Sequence, residues 1–152
     1  MDKREKIEKL RQLLEPVVQG KEAFVVDINL QGEGRRQLLE LFCETEKGIT
    51  ISQCAGISRE VLPFIESSGI LGESFRLDVS SPGVGAPLKD KRQYTSNVGR
   101  LMSVKYRDGE EVKEAEGDLV QFAEDRIFLK TKTASLELGI DSILEARVKI
   151  RW

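Results

Sequence analysis

Apolar positions along the chain keep two rhythms. Ile7, Leu10, Leu14 and Val17 recur at three- and four-residue spacing, which predicts a helix over residues 3–17 with one buried stripe. Pro16 limits its end and Gly20 closes the region. In "FVVDINL" the rhythm changes to two: Phe24, Val26, Ile28 and Leu30 alternate with Val25, Asp27 and Asn29, a half-buried strand. "QGEG" reads as a hairpin turn, and "RRQLLELFCE" as the return strand with Leu39, Leu41 and Cys43 on one face. The helical rhythm returns in "GITISQCAGISREVLPFIESSG". Thr50 and Gln53 have capping-box spacing, Cys54, Ile57, Val61 and Ile65 form the stripe, and Gly69 is a natural stop. Pro63 predicts a kink or an early break. A third strand follows, with Phe75, Leu77 and Val79 inward and Arg76, Asp78 and Ser80 outward. Two amphipathic helices on one face of three strands make a two-layer α+β domain.

After residue 87 no helical stripe is visible. Short strands are expected at 99–107, 113–122, 126–130, 135–138 and 144–152, with Asp108-Gly109 as a hairpin signal and Gly117 as a bulge or strand start. Five short strands in so short a stretch predict a small all-β barrel, SH3-like or OB-like. The expected organisation is an α+β domain over residues 1–82, a connector over 83–88 and a barrel over 89–152.

Composition narrows the chemistry. The chain of 152 residues has no histidine, which removes Ser-His-Asp and Cys-His nucleophiles and His-ligated metals. Cys43 and Cys54 form no C-x-x-C pair and read as buried free thiols. Asp27 and Asp78 face outward on their strands and could approach each other if those strands were neighbours, but no third acid supports a metal or glycosidase site. Net charge is −2, unlike a stand-alone nucleic-acid binder. No apolar run is long enough for a membrane span, and "MDKREKIEKL" lacks a signal-peptide apolar core, so a cytoplasmic chain is expected.

"FRLDVSSPGVGAPLK" contains the strongest punctuation. Its glycines run into Ala86-Pro87 rather than into a helix, and there is no G-x-G-x-x-G and no G-K-[ST], so a phosphate loop is disfavoured. Pro82-Gly83 suits a type II turn, Gly85 adds a second bend and Pro87 stiffens the exit. Ser80, Ser81, Pro82, Gly83, Gly85 and Pro87 are therefore read as a restrained connector that holds two domains in a fixed geometry.

Val79, Ser80, Ser81, Pro82, Gly83, Pro87 and Leu88 resemble the V-S-S-P-G…P-L signature of the ribosome maturation factor RimP family. Gly48, Cys54, Ala55, Ser58 and Arg59 are similar to a second family segment. Ala86 stands where the family usually has arginine, and Gln53 where it usually has an acid. The resemblance implies an α+β N-terminal domain and an SH3-like or Sm-like C-terminal barrel. It also implies a non-enzymatic factor, without cofactor or metal, that binds the immature small (30S) ribosomal subunit and supports 16S rRNA maturation, with a small-subunit ribosomal protein as a further partner. A monomer is expected. An independent RNA-binding regulator using the barrel is the alternative.

Two basic groups are candidate partner contacts. Arg147, Lys149 and Arg151 alternate with Ala146, Val148, Ile150 and Trp152 on the last strand, a row of three cations opposite a core face. Lys89, Lys91, Arg92 and Arg100 gather at the start of the barrel, followed by Lys105 and Arg107 and diluted by Asp90 and Asp108. Either could meet phosphate or an acidic protein surface; either could also be an ordinary solvated face. Arg35, Arg36 and Arg59 are the N-terminal alternatives, read as solvent-facing.

Overall fold

The computed structural model describes residues 1–82 and 85–149, and its contacts divide the chain into two units, Met1–Pro82 and Gly83–Trp152. Gly83, Ile150, Arg151 and Trp152, named in the expectations above, lie outside the described residues.

The first unit contains α1 (Lys3–Gln19), β1 (Phe24–Gln31), β2 (Gln37–Glu44), α2 (Ile51–Ser68) and β3 (Phe75–Ser80). Helix α1 starts where the Asp2 side chain accepts from the Glu5 N–H at 2.9 Å. It runs two residues further than the stripe predicts, with Pro16 inside its last turn, and Val18 is buried more deeply than Val17. Proline removes the donor that would meet the Gln12 carbonyl, and the helix still continues three residues past it. Helix α2 forms as its punctuation requires. Thr50 and Gln53 exchange both capping-box bonds, Cys54, Ile57, Val61 and Ile65 are buried, and Gly69 takes φ 69°. Pro63 lies within the helix without ending it.

The sheet order is β1-β2-β3. β1 and β2 are antiparallel, whereas β3 runs parallel to β2 and needs α2 as its crossover. The β1–β2 turn depends on Gly32, at φ +77°, where a Cβ would lie 2.0 Å from the Arg36 carbonyl oxygen. One strand departs from its alternation. Pairing jumps from Val25–Cys43 to Asp27–Phe42, leaving Val26 as a bulge. The bulge turns Val25, not Val26, into the core beside Ile28 and Leu30. These residues, with Leu39, Leu41 and Cys43 of β2, meet Leu10, Leu14 and Val18 of α1 and the α2 stripe. Phe75, Leu77 and Val79 pack on the same cluster, as their alternation predicts.

The second unit contains α3 (Arg92–Ser96), β4 (Leu101–Asp108), β5 (Glu111–Ala123), β6 (Arg126–Lys130), β7 (Ser135–Gly139), a 3-10 turn (Ile140–Ser142) and β8 (Ile143–Val148). The five strands are all antiparallel, in the order β7-β6-β5-β4-β8. The protein is thus mixed α+β with two separate sheets. The expected barrel is not closed: β7 and β8 are the two edges, and no ladder joins them among the described residues.

The sheet instead bends. β5 is 13 residues long and bulges at Val120, where its pairing with β6 skips from Leu119 to Gln121. Gly117 is not the bulge. It is where the Lys130 carbonyl oxygen comes so near that a Cβ would sit 2.7 Å away. Gly109 alone takes positive φ in the β4–β5 loop, a II′ pattern, so the turn is centred one residue later than Asp-Gly suggests. Met102, Val104, Leu119, Ile127, Leu129, Leu138 and Ala146 fill the concave side, with Tyr94 of α3 stacked on Phe122 at 5.6 Å between ring centroids. Helix α3 escaped the periodicity because five residues are too few to display a stripe. It is fixed by the buried Gln93, whose Oε1 accepts from the Lys89 and Asp90 N–H groups at 2.7 and 2.9 Å.

Candidate partner-binding surfaces

The connector residues fall on both units. β3 ends at Ser80, followed by exposed Ser81 and half-buried Pro82. Gly85, at φ +91°, begins an arm that lies along β8. Its carbonyl oxygen accepts from Arg147 Nη1 at 2.5 Å, Pro87 forms a β-bridge with Arg147, and the Leu88 N–H donates to Ala146 O at 2.8 Å. The arm therefore covers part of the β8 edge, and Leu88 packs against the core of the second unit.

The two basic groups are held by different elements. On β8, Ala146 and Val148 are buried while Arg147 and Lys149 are exposed, as the alternation predicts. Arg147 also donates from Nε to Glu145 Oε1, and Lys149 Nζ stands 3.1 Å from Glu116 Oε2 on β5. The ladder explains these partners. Glu114 of β5 and Glu145 of β8 flank Lys105 of β4, and Glu116 and Arg147 flank Ser103. The outer face of β8-β4-β5 is thus a mosaic of opposite charges rather than a uniform basic row. Cross-strand pairs of opposite sign stabilise such a face by a few tenths of a kcal/mol to about 1 kcal/mol each.

In the other group, Arg92 grips Asp90 at 2.7 Å and Lys91 reaches Asp125 in the β5–β6 turn at 3.1 Å. That turn holds Glu124 and Asp125 at φ 52° and 58°, a conformation that favours Asn-Gly, and the Ile140 N–H donates to the Asp125 carbonyl. Lys89 and Arg100 are exposed. Arg35, Arg36 and Arg59 are exposed on the first unit. The acids that partner the basic rows were visible as Glu114, Glu116 and Asp118 in "KEAEGDL", but only the strand register reveals which cations they meet.

The remaining candidate chemistry separates. Asp27 and Asp78 are on β1 and β3 with β2 between them, so the neighbouring-strand arrangement does not arise. Asp78 is instead the ladder partner of Glu40, whose Oε1 accepts from Asn29 and Gln31 amides at 2.9 and 2.8 Å. Cys43 and Cys54 are buried free thiols. Burial pushes Cys43 up to about 12, with the nearby Cys54, Glu15 and Glu44 adding to it. Cys54 is raised by burial and then by Glu44. Neither has the lowered pKa of an activated thiol. Among the described residues, no group of three or more Cys, Asp or Glu side chains is placed to hold a metal ion, and no helix is long and apolar enough to cross a membrane.

Residues 13–85 match the family model for the RimP N-terminal domain, nearly the whole first unit. This stretch is similar to a RimP N-terminal domain. The chain is 46% identical over 91 residues to "Ribosome maturation factor RimP" of Prosthecochloris aestuarii, covering 57% of this chain and 51% of that one. It is 42% identical over 93 residues to the protein of the same name from Pelodictyon phaeoclathratiforme, covering 59% and 54%. The corresponding protein of Chlorobium chlorochromatii is 41% identical over 88 residues, covering 57% and 49%. The chain spans about half the length of the curated relatives it matches. The match ends where the arm along β8 begins, so it speaks for the first sheet and not for the second.

Proposed function

We propose that the chain is a ribosome maturation factor that docks on the immature small (30S) ribosomal subunit and supports 16S rRNA maturation by binding rather than by catalysis. The observation that carries this reading is the match of residues 13–85 to the RimP N-terminal domain, together with relatives named as ribosome maturation factors. The expected partners are 16S rRNA and a small-subunit ribosomal protein, the expected setting is the cytoplasm, and the active form is a monomer.

Lys89, Lys91, Arg92, Arg100, Arg147, Lys149 and Arg151 are the proposed phosphate or acidic-surface contacts. Ion pairing does not remove them from that role. An exposed pair contributes only about 0–1 kcal/mol, so a phosphate can replace a surface carboxylate with little loss. The five-stranded sheet is read as an SH3-like, Sm-like unit. Its strand order, the long bent β5 and the 3-10 turn before β8 support that assignment.

Co-sedimentation with immature small subunits tests the proposal. Association that weakens with rising salt is expected; recovery of the protein only in ribosome-free fractions at low salt would overturn it. The independent RNA-binding regulator is less well supported, because carboxylates of β5 and β8 interleave with the cations that would grip naked RNA.

A further inference from the structure

The first sheet has an unused edge. β3 pairs with β2 on one side only, and among the described residues no strand pairs with its other side. Backbone N–H and C=O groups on a free edge form a ready template for another strand. Beside this edge a cleft of about 530 Å³ opens between β3 and the first half of α2. Ile51, Ala55 and Ser58 line its helical wall, and Leu77 and Asp78 its strand wall. Ile51 is 90% exposed on the first turn of α2, an unusual position for a large apolar side chain.

The charge of this edge selects its occupant. Asp78 and Glu40 are direct ladder partners on the face away from the helices, and both border the cleft. The cation in the same strand, Arg76, lies 3.4 Å from Asp78, while among the described residues Glu40 meets the neutral amides of Asn29 and Gln31. A strand added to β3 would place alternate side chains on the two faces of the sheet. One set would enter the cleft against Ile51, Ala55 and Ser58. The other would face Asp78, with Glu40 one strand further in.

We propose that the free edge of β3 receives an extended peptide as a fourth strand. Its small apolar side chains enter the cleft beside α2, and its alternating Lys or Arg side chains face Asp78 and Glu40. Main-chain bonds then supply affinity and the alternation supplies selectivity, the strand-addition mode of peptide recognition. Arg76 and Asp78 also give the edge a purpose when empty, since charged side chains discourage pairing with an uncharged strand. The assignment rests on the first unit alone and stands or falls apart from the ribosomal reading.

The test uses the full chain and a fluorescein-labelled peptide, Ala-Lys-Val-Lys-Val-Lys-Ala, blocked at both ends. Saturable binding by anisotropy is expected. A peptide with Glu for every Lys binds at least tenfold more weakly, and methylation of alternate backbone nitrogens on the edge-facing side abolishes binding. Asp78→Lys and Ala55→Trp, both at surface positions, each weaken binding tenfold or more with unchanged circular dichroism, whereas Glu137→Lys on β7 changes nothing. Hydrogen exchange slows within residues 75–80. Equal binding of both N-methylated registers, indifference to Asp78→Lys and Ala55→Trp, or protection confined to the second sheet would overturn the proposal. So would a concentration-dependent dimer that Asp78→Lys dissolves, which would make the occupant a second copy of the chain. Co-sedimentation with small subunits is a separate readout, so either result leaves the ribosomal reading to its own test.

Discussion

The two sheets solve the same problem differently. The first buries one face beneath two helices, so its core is assembled from helix and strand side chains together. The second carries one short α-helix among the described residues, and with its bulged β5 encloses its core mainly with its own strands. The first therefore depends on side chains that fill a layer. The second depends on backbone irregularities, among them the close approach at Gly117, the bulge at Val120 and the register shift between β4 and β8 at Lys105 and Tyr106. The outer faces differ as well. The first sheet sets Glu40 against neutral amides and Asp78 against Arg76 of its own strand, while the second pairs carboxylates with cations on neighbouring strands.

The sharpest way to break this contrast is to remove volume from the layer. Leu39→Ala, in the central strand where Leu39 is fully buried, is expected to destabilise the first unit by about 2–5 kcal/mol. Urea unfolding followed by residue-resolved hydrogen exchange would place that loss in residues 1–82. Next comes the bend. Gly117→Val forces a side chain against the Lys130 backbone, which cannot swing aside as a flexible side chain could. A cost of about 1–3 kcal/mol is expected, with faster exchange in β5 and β6. A similar cost from an Ala substitution at Gly139, where a Cβ would meet nothing within 4 Å, would show that glycine content and not the close approach matters.

A smaller effect tests the helical cover. Thr50→Ala deletes the side-chain half of the capping box and should lower stability by about 1 kcal/mol, measured by thermal or urea denaturation. Smallest is the surface mosaic. A double-mutant cycle over Lys149→Ala and Glu116→Ala should give a coupling of about 0.2–1 kcal/mol that shrinks with added salt. Coupling well above that range would mean that the pair sits in a less solvated place than its half-exposed side chains indicate.

The same contrast explains what could be read in advance. α2 was legible apart from Pro63, which the helix passes without ending, because every signal it needs is local: cap, stripe and left-handed glycine lie within one stretch of twenty residues or so. β1 was legible as a strand, and Ile28 and Leu30 face the core as expected, but Val25 does not follow the alternation, since the bulge at Val26 is set by pairing with β2. α3 carried no pattern; Gln93 and Tyr94 mark it only after the sheet beneath them exists. For the candidate surfaces, alternation correctly put Arg147 and Lys149 outside. It gave no sign that one holds the Gly85 carbonyl and the other an acid from β5.

Sequence alone determined the two long helices, most strand positions, the absence of histidine chemistry and the change from a mixed to a strand-rich unit, because side-chain periodicity and turn residues act over a few neighbours. Tertiary structure decided the parallel placement of β3, the open second sheet, the separation of Asp27 from Asp78 and the partners of each cation. Those depend on register between segments distant in sequence, and a shift of one residue reverses every facing. The free edge of β3 belongs to the same class: a strand becomes an edge only when no other strand lies beside it.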